Sequence, residues 1–503
     1  MKEFPSTARA SAIFPMFFSP DNKNKIIFLN YWKMKNNLAD TLLIASLRNK
    51  QGKLIEQITR KIADEPFSSE IDLERDFSNS IDKLNSLGFN ASLEVEMFFK
   101  EKPLFNYPAL ILNYENNHDS SYVHSSLRLF DKDEFTSKEN LIKNQTGFDV
   151  FLNQKLTNYI IFVCGDQSNY EFSISLETNN KKYTKCIQLI DKQKYELVEF
   201  NIDDIFYDVD LADAQVKVSI DHNISDIYPR FYVGNYSKLS NPTTTHTFYD
   251  ERQGNADRKI KNKQDDSHDA SFSFPILDPA LYDNSLSSYA SNDIWSGDAK
   301  FELLNFSGEL LFSKPYEANE DFSLFNIGKV NINSLVNEAG LDLNSRIICK
   351  VSFDCDSEYF PMRHKYGLNY SHKGGASKGT NICFAPTVFN NENVEKKFSR
   401  TWGPVGGPKN IIFFFNNTSN KEYKDETENI LDIKFFNCDG ETLTRKRFLD
   451  RDQCVEINVQ KDSELKSHFK GKVGWCFCVT DNNFYNAWYL SIGKTHIGGD
   501  HTF

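Results

Sequence analysis

No cysteine precedes Cys164, and the nine in this chain of 503 residues form neither an even set nor paired spacings. That disfavours the disulfide framework of a small secreted domain and places the chain in a reducing, cytoplasmic compartment. Cys476 and Cys478 share one face of an alternating run, where two thiols on a single strand bridge poorly and act as small buried apolar groups. Long apolar runs are also missing. The first candidate, Ile13 to Phe18, is interrupted by Pro15 and followed by Pro20, too short for a signal segment or a membrane span. Lys and Arg form no stripe and the formal net charge is −12, so a phosphate backbone would be repelled and nucleic acid is excluded as a partner. The motifs GxSxG, HExxH and CxxC are absent, which removes the usual sequence signs of a serine hydrolase, a zinc protease or a dithiol centre.

What is present is aromatic and repetitive. Hydrophobic residues make up 40% of the chain and aromatics 14%, with 43 Phe, enough for packed cores. The last twenty residues, FYNAWYLSIGKTHIGGDHTF, echo Tyr228 to Phe248, YPRFYVGNYSKLSNPTTTHTF. Fainter copies lie at Tyr107 to Ser126 and Phe360 to Pro386. Aligning their ends makes His124, His246, Asn381 and His501 equivalent markers, about 120 to 135 residues apart.

Ahead of each closing stretch the same pieces recur. An apolar run comes first: Lys25 to Asn30, Tyr159 to Val163 and Asn410 to Phe415, with Ser291 to Ser296 as the weak third counterpart. A hairpin follows, whose turn has Asn three residues before Gly (Asn49 and Gly52, Asn305 and Gly308, Asn437 and Gly440). Next, helical spacing over Ile81 to Leu87, Ile202 to Phe206, Ile332 to Ala339 and Ser463 to Phe469 gives way to alternation over another strand. The stretch Trp402 to Pro408 reads as irregular.

These patterns predict an all-β protein of four tandem immunoglobulin-like or jelly-roll-like β-sandwich repeats with short helices in the connections. The expected boundaries are 1–130, 148–250, 271–389 and 401–503, with 251–270 as a charged linker.

The candidate binding residues are His496, Asp500, His501, His246, His124, Asn381, Arg230, Trp488 and Tyr489. Imidazole with carboxylate suits zinc or another first-row divalent ion, and the densest such set is His496, Asp500 and His501 in the last repeat. The competing reading gives each marker a local task, tethering its own closing strand to a turn. Gly498 and Gly499 would let the backbone approach a ligand. Trp488 and Tyr489 would offer rings for stacking on sugars, and Arg230, with Arg363 as its counterpart, would face an acidic group. Copy number without a singular catalytic constellation favours a non-enzymatic modular protein that presents its sandwiches to a glycan or protein partner. A metal-dependent enzyme with a His/Asp site in the last repeat and a structural subunit of an assembly are the alternatives.

Overall fold

The computed structural model describes residues 8–502 except for several segments, the longest being 101–109, 130–143, 250–257, 260–267, 290–296, 318–328, 391–396 and 418–428. The chain is all-β, with eight antiparallel sheets of four or five strands and short helices between strands.

The first segment sets the pattern with β1 (Ala8–Phe18), β2 (Lys23–Leu29), β3 (Thr41–Asn49), β4 (Leu54–Lys61), β5 (Ser68–Asp72), β6 (Gly88–Phe99), β7 (Leu110–Glu115) and β8 (Ser120–His124). One sheet runs β1-β6-β3-β4 and the other β5-β2-β7-β8. Three further pairs of sheets along the chain have the same strand order, two of them with a short strand added beside the counterpart of β1. The two sheets of a pair share a core. The Tyr114 hydroxyl donates to the Pro15 carbonyl oxygen at 2.8 Å, and Tyr370 to that of Pro275 at 2.5 Å, each joining the counterpart of β7 to that of β1.

Local chemistry explains the elements. The run Ile26 to Leu29 is apolar throughout because it is buried on both faces, whereas β4 alternates half-buried with exposed residues on an outer edge. The helices Leu73–Asp76, Ile202–Ile205, Ile332–Glu338 and Ser463–Phe469 all follow the counterpart of β5. Each begins at an Asp or Asn (Asp72, Asn201, Asn331, Asp462) whose side chain accepts a backbone N–H of the first turn. In the first segment the predicted helix over Ile81 to Leu87 is displaced: helical turns lie at Leu73–Asp76 and Ser78–Ile81.

Other boundaries also move. Trp402 to Pro408 is not irregular: Ser399–Gly406 is a strand, the counterpart of β1. Pro404 sits in it as Pro15 sits in β1, and this sheet-edge position is one where the missing N–H costs no ladder bond. The second and fourth segments therefore start at Asn144 and Ser399, ahead of the expected 148 and 401. In the third, the counterpart of β2 is Tyr282–Tyr289. Its buried serines hid it from a search for apolar residues, and 291–296 lies outside the described residues. Within 251–270, Arg258–Lys259 pairs with Tyr359–Phe360, and most of the rest is outside the described residues.

The closing strands bring the segments together. The strand β8 packs against Thr243–His246 and Ile497–His501, and Thr380–Phe384 packs against both of these, closing a ring of four. Gly498 lies where a Cβ would run into the Ser120 carbonyl oxygen, so glycine is what lets the fourth and first closing strands touch. Its partner is backbone of the same chain, not a ligand as the sequence suggested.

Candidate metal centre

At the C-terminal ends of the closing strands, His124, His246 and His501 converge, each offering a ligand atom within 4.8 Å of the others. The rings of His246 and His501 stand at 4.4 Å and 4.6 Å from that of His124, edge to face. The contacts are not local tethers: they join residues from three segments of the chain.

Ladder register redraws the equivalence of the markers. His246 pairs with Tyr232 and His501 with Trp488, each three residues before the polar residue (Asn235, Ser491) of its seventh strand. His124 pairs with Ile111, two before Asn113, so its counterparts are Thr245, Cys383 and Asp500. Asn381 pairs with Asn369 itself, and Phe384 fills the position of His246 and His501. Asn381 is thus no substitute for a histidine. Its amide donates to Asn369 Oδ1 at 2.7 Å, the Tyr289 hydroxyl at 2.8 Å and Asp149 Oδ2 at 3.2 Å, a buried network tying the third segment to the second.

The hydrogen bonds around the imidazoles fix their chemistry. His124 Nδ1 is 2.6 Å from Asp500 Oδ2; the carboxylate only accepts, so Nδ1 carries the proton. His501 Nδ1 donates to the Thr502 carbonyl oxygen at 2.8 Å. His246 Nδ1 lies 2.8 Å from the Thr247 carbonyl oxygen and equally close to Arg230 Nη1, which also donates to that carbonyl at 2.9 Å. The Nε2 atoms of His124 and His246 are 2.9 Å apart. Two lone pairs cannot face each other at that distance, so a proton or a cation must lie between the two nitrogens. If Arg230 donates to His246 Nδ1, the proton is on His246 Nε2; if His246 Nδ1 donates to Thr247, both Nε2 lone pairs can point at one cation.

Electrostatics disfavours protonation of His246 and His501. Burial, then the charges of His124 and Arg230, hold His246 well below the usual imidazole range. Burial first and His124 second lower His501 to about 4. Burial opposes ionisation of Asp500, but His124, through charge and hydrogen bond, outweighs it and holds the carboxyl below its ordinary range.

The expected set of His496, Asp500 and His501 does not assemble. A strand advances about 3.3 Å per residue, so His496, just ahead of Ile497–His501, lies beyond the far end of that strand, where it is buried. There its Nδ1 meets the Ser377 hydroxyl at 2.6 Å. Asp500 serves His124 through a hydrogen bond. Trp488 and Tyr489 are 2% and 0% exposed, and the Trp488 indole donates to the Ser273 carbonyl oxygen, so neither presents a stacking face to solvent. Both faces of this sheet are covered, which alternation along one strand does not reveal. Arg230 bonds the His246 ring and the Thr247 carbonyl oxygen, and Arg363 lies outside the described residues.

Beside the imidazoles is a cavity of about 510 Å3, reached by all four segments. Lys365, Cys383 and Arg400 line it with the histidines. Nothing local singles these out, since only register places Cys383 level with His124. In comparisons with known proteins, no family model matches this chain and no curated protein shows significant similarity to it.

Proposed function

We propose that this protein binds a first-row divalent metal ion, zinc being the type, through His124, His246 and His501, and that the ion faces the adjoining cavity. One observation carries the reading: His124 and His501 each have an acceptor at Nδ1, Asp500 and the Thr502 carbonyl, and the Thr247 carbonyl lies within hydrogen-bond reach of His246 Nδ1, so all three rings can turn Nε2 to a ligand. His246 and His501, neutral at neutral pH, suit the same role. Three protein ligands with a position left open supply Lewis acidity and an activated water when the metal is bound. The chain's own residues would orient the rings and shape the cavity. A metal-free module for a glycan or protein has less in its favour, because the aromatic residues it would use are buried.

The test is metal content and cobalt substitution. Protein purified without chelator should carry about one equivalent of metal, and Co2+ should give the visible bands of a low-coordinate site. His246→Gln should lose both while keeping its circular dichroism. Metal far below one equivalent, with no cobalt bands in wild type, would end the proposal.

A further inference from the structure

We propose that His496 is an acid-sensitive latch: it holds the four segments together at the end of the closing-strand ring away from the three histidines, and a proton taken up by its imidazole opens that end before the chain unfolds as a whole. Nothing in this depends on a metal being bound at the other end.

All four segments meet at this residue, which is 1% exposed. From the first, the Asp119 carboxylate accepts the backbone N–H of Thr495 at 3.0 Å and of His496 at 3.2 Å, and the Thr495 hydroxyl at 2.8 Å. From the second, the Thr243 hydroxyl lies 3.4 Å from His496 Nδ1. From the third, the Ser377 hydroxyl lies 2.6 Å from the same nitrogen, and His372 Nε2 donates to the Gly493 carbonyl oxygen at 3.0 Å. The fourth supplies the turn itself, in which the Gly493 N–H donates to the His496 carbonyl oxygen at 2.9 Å.

The other ring nitrogen makes this junction sensitive to acid. His496 Nε2 is buried without a hydrogen-bond partner among the described residues. A neutral ring tolerates that position, because with Nδ1 donating to Ser377 only a lone pair is left over. A protonated ring must donate from both nitrogens, and a buried cationic N–H without an acceptor is strongly disfavoured. Both Asp119 oxygens already accept from the turn, so that carboxylate cannot reach Nε2 without releasing the backbone it holds. Water is the remaining acceptor, and it reaches Nε2 only when the segments part.

Two charges bear on the ring: Asp119 favours the proton and His372 opposes it. Thr243 brings a hydroxyl and no charge. The Lys373 ammonium donates to the Pro279 carbonyl oxygen, Lys378 lies over the Phe151 ring, and His118 and Lys494 are exposed. Burial outweighs Asp119 and holds the closed ring at about 4, whereas a ring opened to water titrates near 6.5. Burial also opposes ionisation of Asp119, but its bonds to Thr495 and the nearby His496 outweigh it, so Asp119 stays charged through that window. The closed junction is therefore favoured above about pH 6.5 and loses ground as pH falls toward 4.

Hydrogen exchange, expressed as protection factors so that the intrinsic effect of pH drops out, reads the opening. Amides of Ile497 to Gly499 and Ser120 to Tyr122 should lose about 20-fold protection between pH 7 and pH 5, while remaining less protected at each pH than those of Gly88–Phe99. In His496→Gln, whose amide can still bond Ser377 but does not titrate, the loss should shrink to about threefold or less. An equal loss in the variant, or protection at the junction that does not fall in the wild type, would overturn the latch. Should the variant fail to fold, the wild-type imidazole decides, followed by NMR in 13C-histidine-labelled protein and assigned through its contacts with Thr243 and Ser377. A midpoint near 4 together with the loss of protection supports the latch, and a midpoint near 6.5 with the junction still protected removes it.

Discussion

At the scale of single residues, the molecule separates side chains that the sequence makes look alike. Asp500 and Asn381 both end hydrogen-bond networks at the junction of segments, but Asp500 bonds an imidazole of the candidate centre and Asn381 bonds Asn369, Tyr289 and Asp149. Their substitutions should therefore part company. Asp500→Asn should weaken metal binding about 10- to 100-fold in a chelator competition, because His124 loses the carboxylate that orients it. Asn381→Ala should leave metal affinity within a few-fold and lower unfolding free energy by about 2 kcal/mol, since buried partners lose their donor. Equal effects on metal affinity would show that register equivalence does not govern the site. The sequence disclosed that histidines end several closing stretches, but not that His124 is one rung out of step with His246 and His501. A one-residue offset in a ladder reverses a side chain's face, and a text alignment of H-T-F endings is blind to it.

At the scale of elements, the hairpin after β3 was the most legible feature. Asn49 accepts the Lys53 N–H through its side chain at 2.9 Å, Asn305 accepts Glu309 at 3.0 Å and Asn437 accepts Glu441 at 2.8 Å. The glycine three residues on takes positive φ, +80° at Gly52 and +85° at Gly440. The spacing visible in the sequence is thus a complete local account of the turn. What it omits is the neighbour: the Leu197 N–H donates to the Lys50 carbonyl, and the Cys454 N–H to that of Phe306, so the first hairpin grips the second segment and the third hairpin the fourth. Two glycines with similar φ then differ in surroundings. A Cβ on Gly52 would lie 2.5 Å from the Lys194 carbonyl oxygen, whereas one on Gly440 would meet nothing nearer than Pro66 at 3.9 Å. Gly440→Ala should cost about 1 kcal/mol in urea denaturation, from backbone strain alone, and Gly52→Ala about 3 kcal/mol, because the interface must also shift. Similar losses would mean that the hairpin tip does not hold its neighbour.

At the scale of the whole molecule, one hydrophobic cluster runs through the first, second and fourth segments, and another joins the third to the fourth, so no segment is closed on itself. Such burial leaves histidines with little access to protons. Burial alone lowers His222 to about 4, and burial, partly offset by Asp119, does the same for His496. Unfolded imidazoles titrate near 6.5, so between about pH 6.5 and 4 the unfolded chain takes up protons that the folded one refuses, and stability falls as pH falls. Glu94 works in the opposite sense, since burial and Glu96 raise it to about 7 and its contribution is lost as pH rises toward that value. The two histidines outweigh this single carboxyl, and unfolding free energy should drop from pH 6.5 to 4.5. In His222→Gln the drop should be smaller, by up to about 3 kcal/mol over the full window. An equally steep decline in the variant would discount His222 as a source. The sequence by itself determined most of the strands, three of the four helices that follow the fifth strand of a segment, the hairpin turns and the recurrence of a closing stretch. Each of these depends on residues a few positions apart, whose alternation, capping groups and φ preferences act locally. Only the tertiary structure decided that the closing strands meet in a ring and that His124, His246 and His501 share one centre while His496 does not. Those contacts span more than a hundred residues of chain, and they follow from the register and burial of sheets against one another, which no local pattern specifies.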